Sequence, residues 1–251
     1  MPAMASESLV IIGALFLVVG ALYAAVGHAG ASGYLAVMAL LSVDAGLMRP
    51  IALSINILVA AIAFVQFARA GHFAWRLFWP FALASMPAAF AGGKIALPSH
   101  ALKAAIGLVL LLTATRMAHV AYRPPVAPRE VGPPKLPIML GVGAVLGLVA
   151  GLTGTGGGIF LSPVMLLLRW STPKQTAATA SLFIFVNSIA GVAGLAADGL
   201  TPPGFLWPLA ACAGIGGLVG ATIESRRATP RALNFVLAAV LLGAGVKLLL
   251  A

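Results

Sequence analysis

The chain has 251 residues, 61% of them hydrophobic and 8% charged, whereas a soluble domain carries about 25% charged residues. So little ionic surface excludes a water-facing globule, and the mean hydropathy of +1.09 points to a lipid bilayer. The formal charge of +10 would suggest nucleic acid in a soluble protein, but here the basic residues separate apolar runs, as cytoplasmic loops of a membrane protein do, and nucleic acid is not an expected partner.

The first apolar run, Leu9–Val26, follows a single charged residue, Glu7, and has no basic stretch before it, so it reads as a retained helix and not a signal peptide. Gly30-Ala31-Ser32-Gly33 then opens a short apolar stretch, Tyr34–Val43. Longer runs follow at Ile51–Phe67, Trp75–Gly92 and Ala101–Met117. A polar interruption from Arg116 to Lys135 contains Pro124, Pro125, Pro128, Pro133 and Pro134, which deny it a regular helix. It reads as a linker, residues 119–134, between an N-terminal half, 1–118, and a C-terminal half, 135–251. The second half runs Leu136–Gly151, a glycine cluster, the short stretch Ile159–Trp170, then Thr176–Leu195, Gly204–Ile223 and Ala232–Leu250. Trp75, Trp79, Trp170 and Trp207 suit an interfacial aromatic belt. The lone cysteine, Cys212, forms no intrachain disulfide and reads as packing.

These segments predict an all-α polytopic membrane protein of about ten crossings, the second of each half broken. With both termini outside, Arg69, Arg76, Arg116, Arg123, Arg129, Lys135, Arg169, Lys174, Arg226, Arg227 and Arg231 fall on inward loops, and Arg49, Lys94, Lys103 and Lys247 outside. Omitting the short segments would place the Arg116–Lys135 and Arg226–Arg231 clusters on opposite sides, against the positive-inside rule. The halves also resemble each other: Gly71 and Trp79-Pro80 answer Gly199 and Trp207-Pro208 at a displacement of 128 positions, and Ser54-Ile55-Asn56 is paired with Thr179-Ala180-Ser181. An odd number of crossings per half inverts the second half, an architecture that recurs in secondary transporters.

The segment Gly151-Leu-Thr-Gly-Thr-Gly-Gly-Gly158 is the most informative. Its glycines permit a bend at membrane depth, with Gly154 as a hinge. If Ile159 opens a helix, first-turn amides and the positive dipole end face that bend and suit an anion. Thr155, Gly156, Gly157 and Gly158 are therefore candidate substrate contacts. The first-half counterpart offers Gly30 and Gly33 as hinges, with Ser32 and His28 as polar contacts; a histidine at membrane depth also suits proton coupling. Asn56, Thr179, Ser181 and Asn187 lie on the long helices after the breaks and should face protein or a wet cavity. Interhelical hydrogen bonding alone is the alternative role for each. The cluster lacks the Gly-Lys-Ser/Thr ending of a phosphate-binding loop. No metal-ligand spacing or catalytic constellation stands out, so neither a metal, a cofactor nor an enzyme activity is expected. A small anionic substrate, a coupling proton or sodium ion and the bilayer are the expected partners; the oligomeric state is open. A channel-like pore and a membrane-embedded enzyme or scaffold are the rival classes.

At the glycine bend the sequence resembles the sulfite exporter TauE/SafE family of membrane permeases. Gly154-Thr-Gly-Gly-Gly-Ile-Phe-Leu-Ser-Pro163, followed by Thr176-Ala-Ala-Thr-Ala-Ser181, carries the resemblance, with Pro163 as a further hinge. The resemblance implies secondary transport of sulfite, sulfonates such as sulfoacetate, or related carboxylates, in a bacterial inner membrane and without an ATP site. The first half departs from the pattern: its glycines are fewer, and Met38 or Ala39 stands where proline is expected.

Overall fold

The computed structural model describes residues 6–24, 29–122, 131–132, 134–199, 203–224 and 231–250. The described residues form the helices α1 (Ser6–Ala24), α2 (Ala31–Leu40), α3 (Ala45–Arg69), α4 (Trp75–Lys94), α5 (Ser99–Tyr122), α6 (Leu136–Thr153), α7 (Gly158–Leu167), α8 (Pro173–Ala197), α9 (Leu206–Glu224) and α10 (Arg231–Leu250). Four segments are long and apolar enough to cross a bilayer: Ala45–Arg69, Ser99–His119, Leu136–Thr153 and Pro173–Ala197. The expected all-helical polytopic architecture is therefore present. Most of the linker lies outside the described residues, but α5 continues to Tyr122, beyond the predicted end at Met117.

Local chemistry sets several helix ends. The Asp44 carboxylate accepts from the Gly46 amide at the start of α3, and Thr172 and Gln175 form a reciprocal capping box at the start of α8. Helices α2 and α7 have 10 residues each, a length of about 15 Å at the usual rise, half the roughly 30 Å hydrocarbon core. Both end alike: Ser42 and Arg169 each have φ 57°, and their amides turn back onto Ala39 and Leu166. Helices α3 and α8 have 25 residues each.

Packing follows small residues. Helix α6 lies along α4, with Gly143, Gly147 and Gly151 on the main chain of Phe81, Ser85 and Ala89. Each successive pair is one helical turn further along both helices. Helix α1 lies on α9 in the same manner, with Gly216 and Gly220 on the main chain of Leu17 and Ala21. Lipid tails are as apolar as leucine, so close backbone approach and dispersion, more than hydrophobic burial, hold such pairs together. Helices α3 and α8 cross at the centre, and α5 pairs with α10 beside α2. Large apolar side chains such as Leu83, Leu108, Val145 and Trp207 remain on the outside, as a lipid-facing surface requires. Trp75 and Trp79 are exposed with them, whereas Trp170 is half-buried against Phe81.

This packing makes Gly147 intolerant of a side chain. Gly147→Val should lower the free energy of reversible detergent unfolding by about 1–3 kcal/mol through overpacking. Gly141→Ala, where no atom lies within 4 Å of the added carbon, should change it by less than about 0.5 kcal/mol.

Candidate functional site

Both predicted chain breaks are present. Helix α6 stops at Gly154 (φ 82°), and Gly156 (φ 70°) and Gly157 (φ 76°) turn the chain into α7. Left-handed φ is strained for residues with a Cβ, which accounts for glycine at these positions. Gly30 (φ 88°) precedes α2 in the same way. The amides of Gly158 and Ile159 come before Phe160, whose N–H already bonds back to the Gly157 carbonyl, so they belong to the unsatisfied first turn of the helix.

The two breaks meet. One small cavity is lined by Tyr23, Ala29, Gly30, Ala31 and Ser32 from the first half and by Thr155, Ile159 and Ile184 from the second. The helical N-termini of α2 and α7 thus share a single space, about large enough for one water. Its walls carry hydroxyls. The Ser32 and Tyr23 hydroxyls are 3.0 Å apart, and Thr155 is 3.0 Å from the Thr153 hydroxyl. No carboxylate is among the described lining residues.

A second polar group lies behind the bend. A carbon added at Gly156 would sit 3.1 Å from both Asn56 Nδ2 and Ser188 Oγ, so α3 and α8 bring these two side chains to the bent backbone. Both residues are fully buried, and Asn56 Nδ2, Asn56 Oδ1 and Ser188 Oγ have no hydrogen-bond partner. Such groups cost on the order of 1–3 kcal/mol each when left unsatisfied, so a polar visitor beside Gly156 would find ready partners.

The remaining candidates separate. Ser181 donates to the Ala177 carbonyl and Asn187 Nδ2 to the Phe183 carbonyl, both within α8. Asn187 Oδ1 and Thr179 Oγ1 are buried without partners. None of the three lines the cavity. Gly33 lies under Val19 and Tyr23, and Gly158 under Ile184. Pro163 falls inside α7. His28 lies outside the described residues.

Two arginines read from sequence as loop or boundary charges are inside the protein. Arg49, 4% exposed, donates to the carbonyls of Gly92, Gly93 and Ile95 and so caps the end of α4; its backbone abuts Gly154. Arg116 belongs to α5, and its Nη1 donates to the Ile159 carbonyl at 2.9 Å. The assignment of Arg116 to an inward loop is therefore corrected: its helix runs through Ala118 to Tyr122. The signal was the apolar character of Met117, Ala118, Val120 and Ala121, which continues the run past the charge. Tyr23, hidden in the first apolar run, gave no comparable sign.

The family model described as sulfite exporter TauE/SafE matches residues 12–248. The probable membrane transporter protein y4hK of Sinorhizobium fredii (strain NBRC 101917 / NGR234) is 42% identical over 239 residues, covering 93% of this chain and 95% of that protein. No solved structure matches. The chain belongs to the sulfite exporter TauE/SafE family and is a polytopic membrane transporter.

Proposed function

We propose, from this family membership and the paired breaks, that the protein is a secondary transporter that passes a small oxyanion between its two broken segments by alternating access. The observation that carries the reading is the shared cavity, where two helix N-termini and the hydroxyls of Tyr23, Ser32 and Thr155 converge, with no carboxylate among the described lining residues. Aligned peptide dipoles put roughly half a positive charge at each helix N-terminus. An anion there gains from both, and hydroxyl and amide donors suit the oxygens of sulfite, a sulfonate or a carboxylate. The family's printed description supports sulfite as the first substrate to test, with sulfoacetate and simple carboxylates beside it. Gly156, Gly157 and Gly158 let the substrate approach bare backbone, and Asn56 and Ser188 offer a polar wall behind it. Thr179, Ser181 and Asn187 extend that polar wall along α8.

The halves 1–118 and 135–251, joined by residues 119–134, act in this reading as inverted repeats. Equal lengths of α2 and α7 and of α3 and α8 support the duplication, as do the left-handed residues Ser42 and Arg169 at matching ends. Rocking of one half against the other would open the cavity alternately to each side, with Gly30, Gly33, Gly154 and Pro163 at the hinges. In the proposed orientation the chain sits in a bacterial inner membrane with both termini outside. A proton or sodium ion drives the movement, and His28, next to the cavity-lining Ala29, is the proton candidate.

Reconstituted into liposomes, the protein should give saturable uptake of labelled sulfite, sulfoacetate or a simple carboxylate; no saturable flux of any small anion would end the transporter reading. Gly157→Val adds a side chain at φ 76° against Phe183 and the Leu146 carbonyl and should cut flux more than tenfold while the protein still inserts. Ser188→Ala removes a buried hydroxyl that has no partner to lose, so unfolding free energy should rise by about 1 kcal/mol or more while KM rises. If His28 carries the proton, His28→Asn should retain flux but lose its dependence on a pH gradient, and a retained dependence would assign coupling elsewhere.

A further inference from the structure

We infer that Ile184 sets the size of the anion that the shared cavity admits, a role that rests on the transport reading above and adds a specificity-determining residue to it. Ile184 belongs to α8 and is 3% exposed. It lines the cavity, which has room for about one water. Most of the described lining is small or polar, namely Ala29, Gly30, Ala31, Ser32 and Thr155. The Tyr23 hydroxyl is engaged with Ser32, and Ile159 is carried by the first turn of α7. Ile184 is the aliphatic side chain that the long helix α8 brings to this space.

Two glycines of the bend locate that side chain. A carbon added at Gly156 would lie 2.7 Å from Ile184 Cγ2, and one added at Gly158 would run into Ile184 Cγ1 and Cδ1. Ile184 therefore fills the space that side chains at these two positions would need. The same point beside Gly156 has Asn56 Nδ2 and Ser188 Oγ at 3.1 Å, so Ile184 borders both the cavity and this polar pair. An isoleucine in a helix holds essentially one χ1 rotamer, and a packed interior leaves it little room to swing aside. Widening that admits a compact oxyanion can leave the side chain in place. An anion with a carbon tail needs the volume that Ile184 occupies. Beyond it, a tail ending in a hydroxyl would meet the Asn56 amide and the Ser188 hydroxyl, each able to donate and to accept and each holding buried atoms without a partner. One methylene more or less in an apolar pocket changes discrimination by roughly 10–200-fold, so a single branched side chain suffices to set the limit.

The test uses the full chain in liposomes, with labelled sulfite, ethanesulfonate and 2-hydroxyethanesulfonate as probes. The readout is the ratio of kcat/KM between probes within one variant, which a loss of inserted protein does not move. The wild type should favour sulfite over both sulfonates at least about tenfold. Ile184→Ala should raise the ratio of 2-hydroxyethanesulfonate to sulfite by about tenfold or more, and that of ethanesulfonate by less. Ser188→Ala placed on that variant should reduce the difference between the two sulfonates. A wild type that carries 2-hydroxyethanesulfonate as well as sulfite, or a folded Ile184→Ala with wild-type ratios, overturns the proposal and leaves the transport reading intact. Equal gains for the two sulfonates overturn the part given to Asn56 and Ser188. Absence of saturable flux of any small anion in the wild type overturns both the proposal and the reading beneath it. Should Ile184→Ala fail to insert, Ile184→Val decides, since it removes only the Cδ1 methyl beside Gly158: a several-fold gain for 2-hydroxyethanesulfonate supports the role and an unchanged ratio overturns it.

Discussion

A polypeptide that leaves helical geometry inside a membrane exposes amides and carbonyls that hydrocarbon cannot solvate, and each must find a partner in protein or in a wet cavity. The rest of this fold is arranged around that constraint. The breaks before α2 and α7 are enclosed by the long helices α3 and α8 and by their own flanking helices. Glycine makes the enclosure close. At Gly156, Gly157 and Gly158 the neighbours press against bare backbone, and at Gly143, Gly147 and Gly151 the supporting helix α6 seats directly on α4. A helix pair with larger residues at the contact would hold the breaks further from the side chains meant to serve them.

The same constraint explains why the polar residues are distributed as they are. Several hydroxyls return a bond to their own helix: Thr153 to Val149, Ser162 to Gly158 and Ser181 to Ala177. Others do not, among them Ser85, Thr179 and, at the bend, Ser188. Asn56 and Ser188 keep atoms without partners beside Gly156, although each lies on a helix with backbone carbonyls nearby. Buried polar groups are ordinarily satisfied, and among the unsatisfied ones Asn56 and Ser188 stand together at one turn of chain.

How much of this was legible in the sequence depended on whether the cause was local. Hydropathy and glycine act over a few residues, so the helical runs and the two breaks, at Gly30 and at Gly154, could be read directly. Tertiary causes were not legible. The meeting of Tyr23 with Ser32 requires α1 and α2 to fold back on each other, and Tyr23 sits in a run otherwise indistinguishable from lipid-facing helix. Arg116 was misplaced because charge was used to mark the end of a segment, whereas α5 carries its charge inward and ends six residues later at Tyr122.

The two short helices are alike in length and in their ends, yet unlike in their surroundings. Helix α2 is buried from Ala31 to Ala39, because the α5–α10 pair lies against it. At its far end Lys247 of α10 donates to the Leu40 carbonyl at 2.7 Å and lies 2.8 Å from the Ser42 hydroxyl. Helix α7 packs on α8 and α6 and leaves Leu166 and Leu167 exposed; Arg116 is the side chain that α5 extends to it. Among the described residues, the α5–α10 pair thus holds the first short helix by its surface, while it reaches the second through the bond from Arg116 to the Ile159 carbonyl. The two short helices share one cavity at their N-termini but are anchored by different means, a packed surface for α2 and the helix α8 with a polar contact for α7.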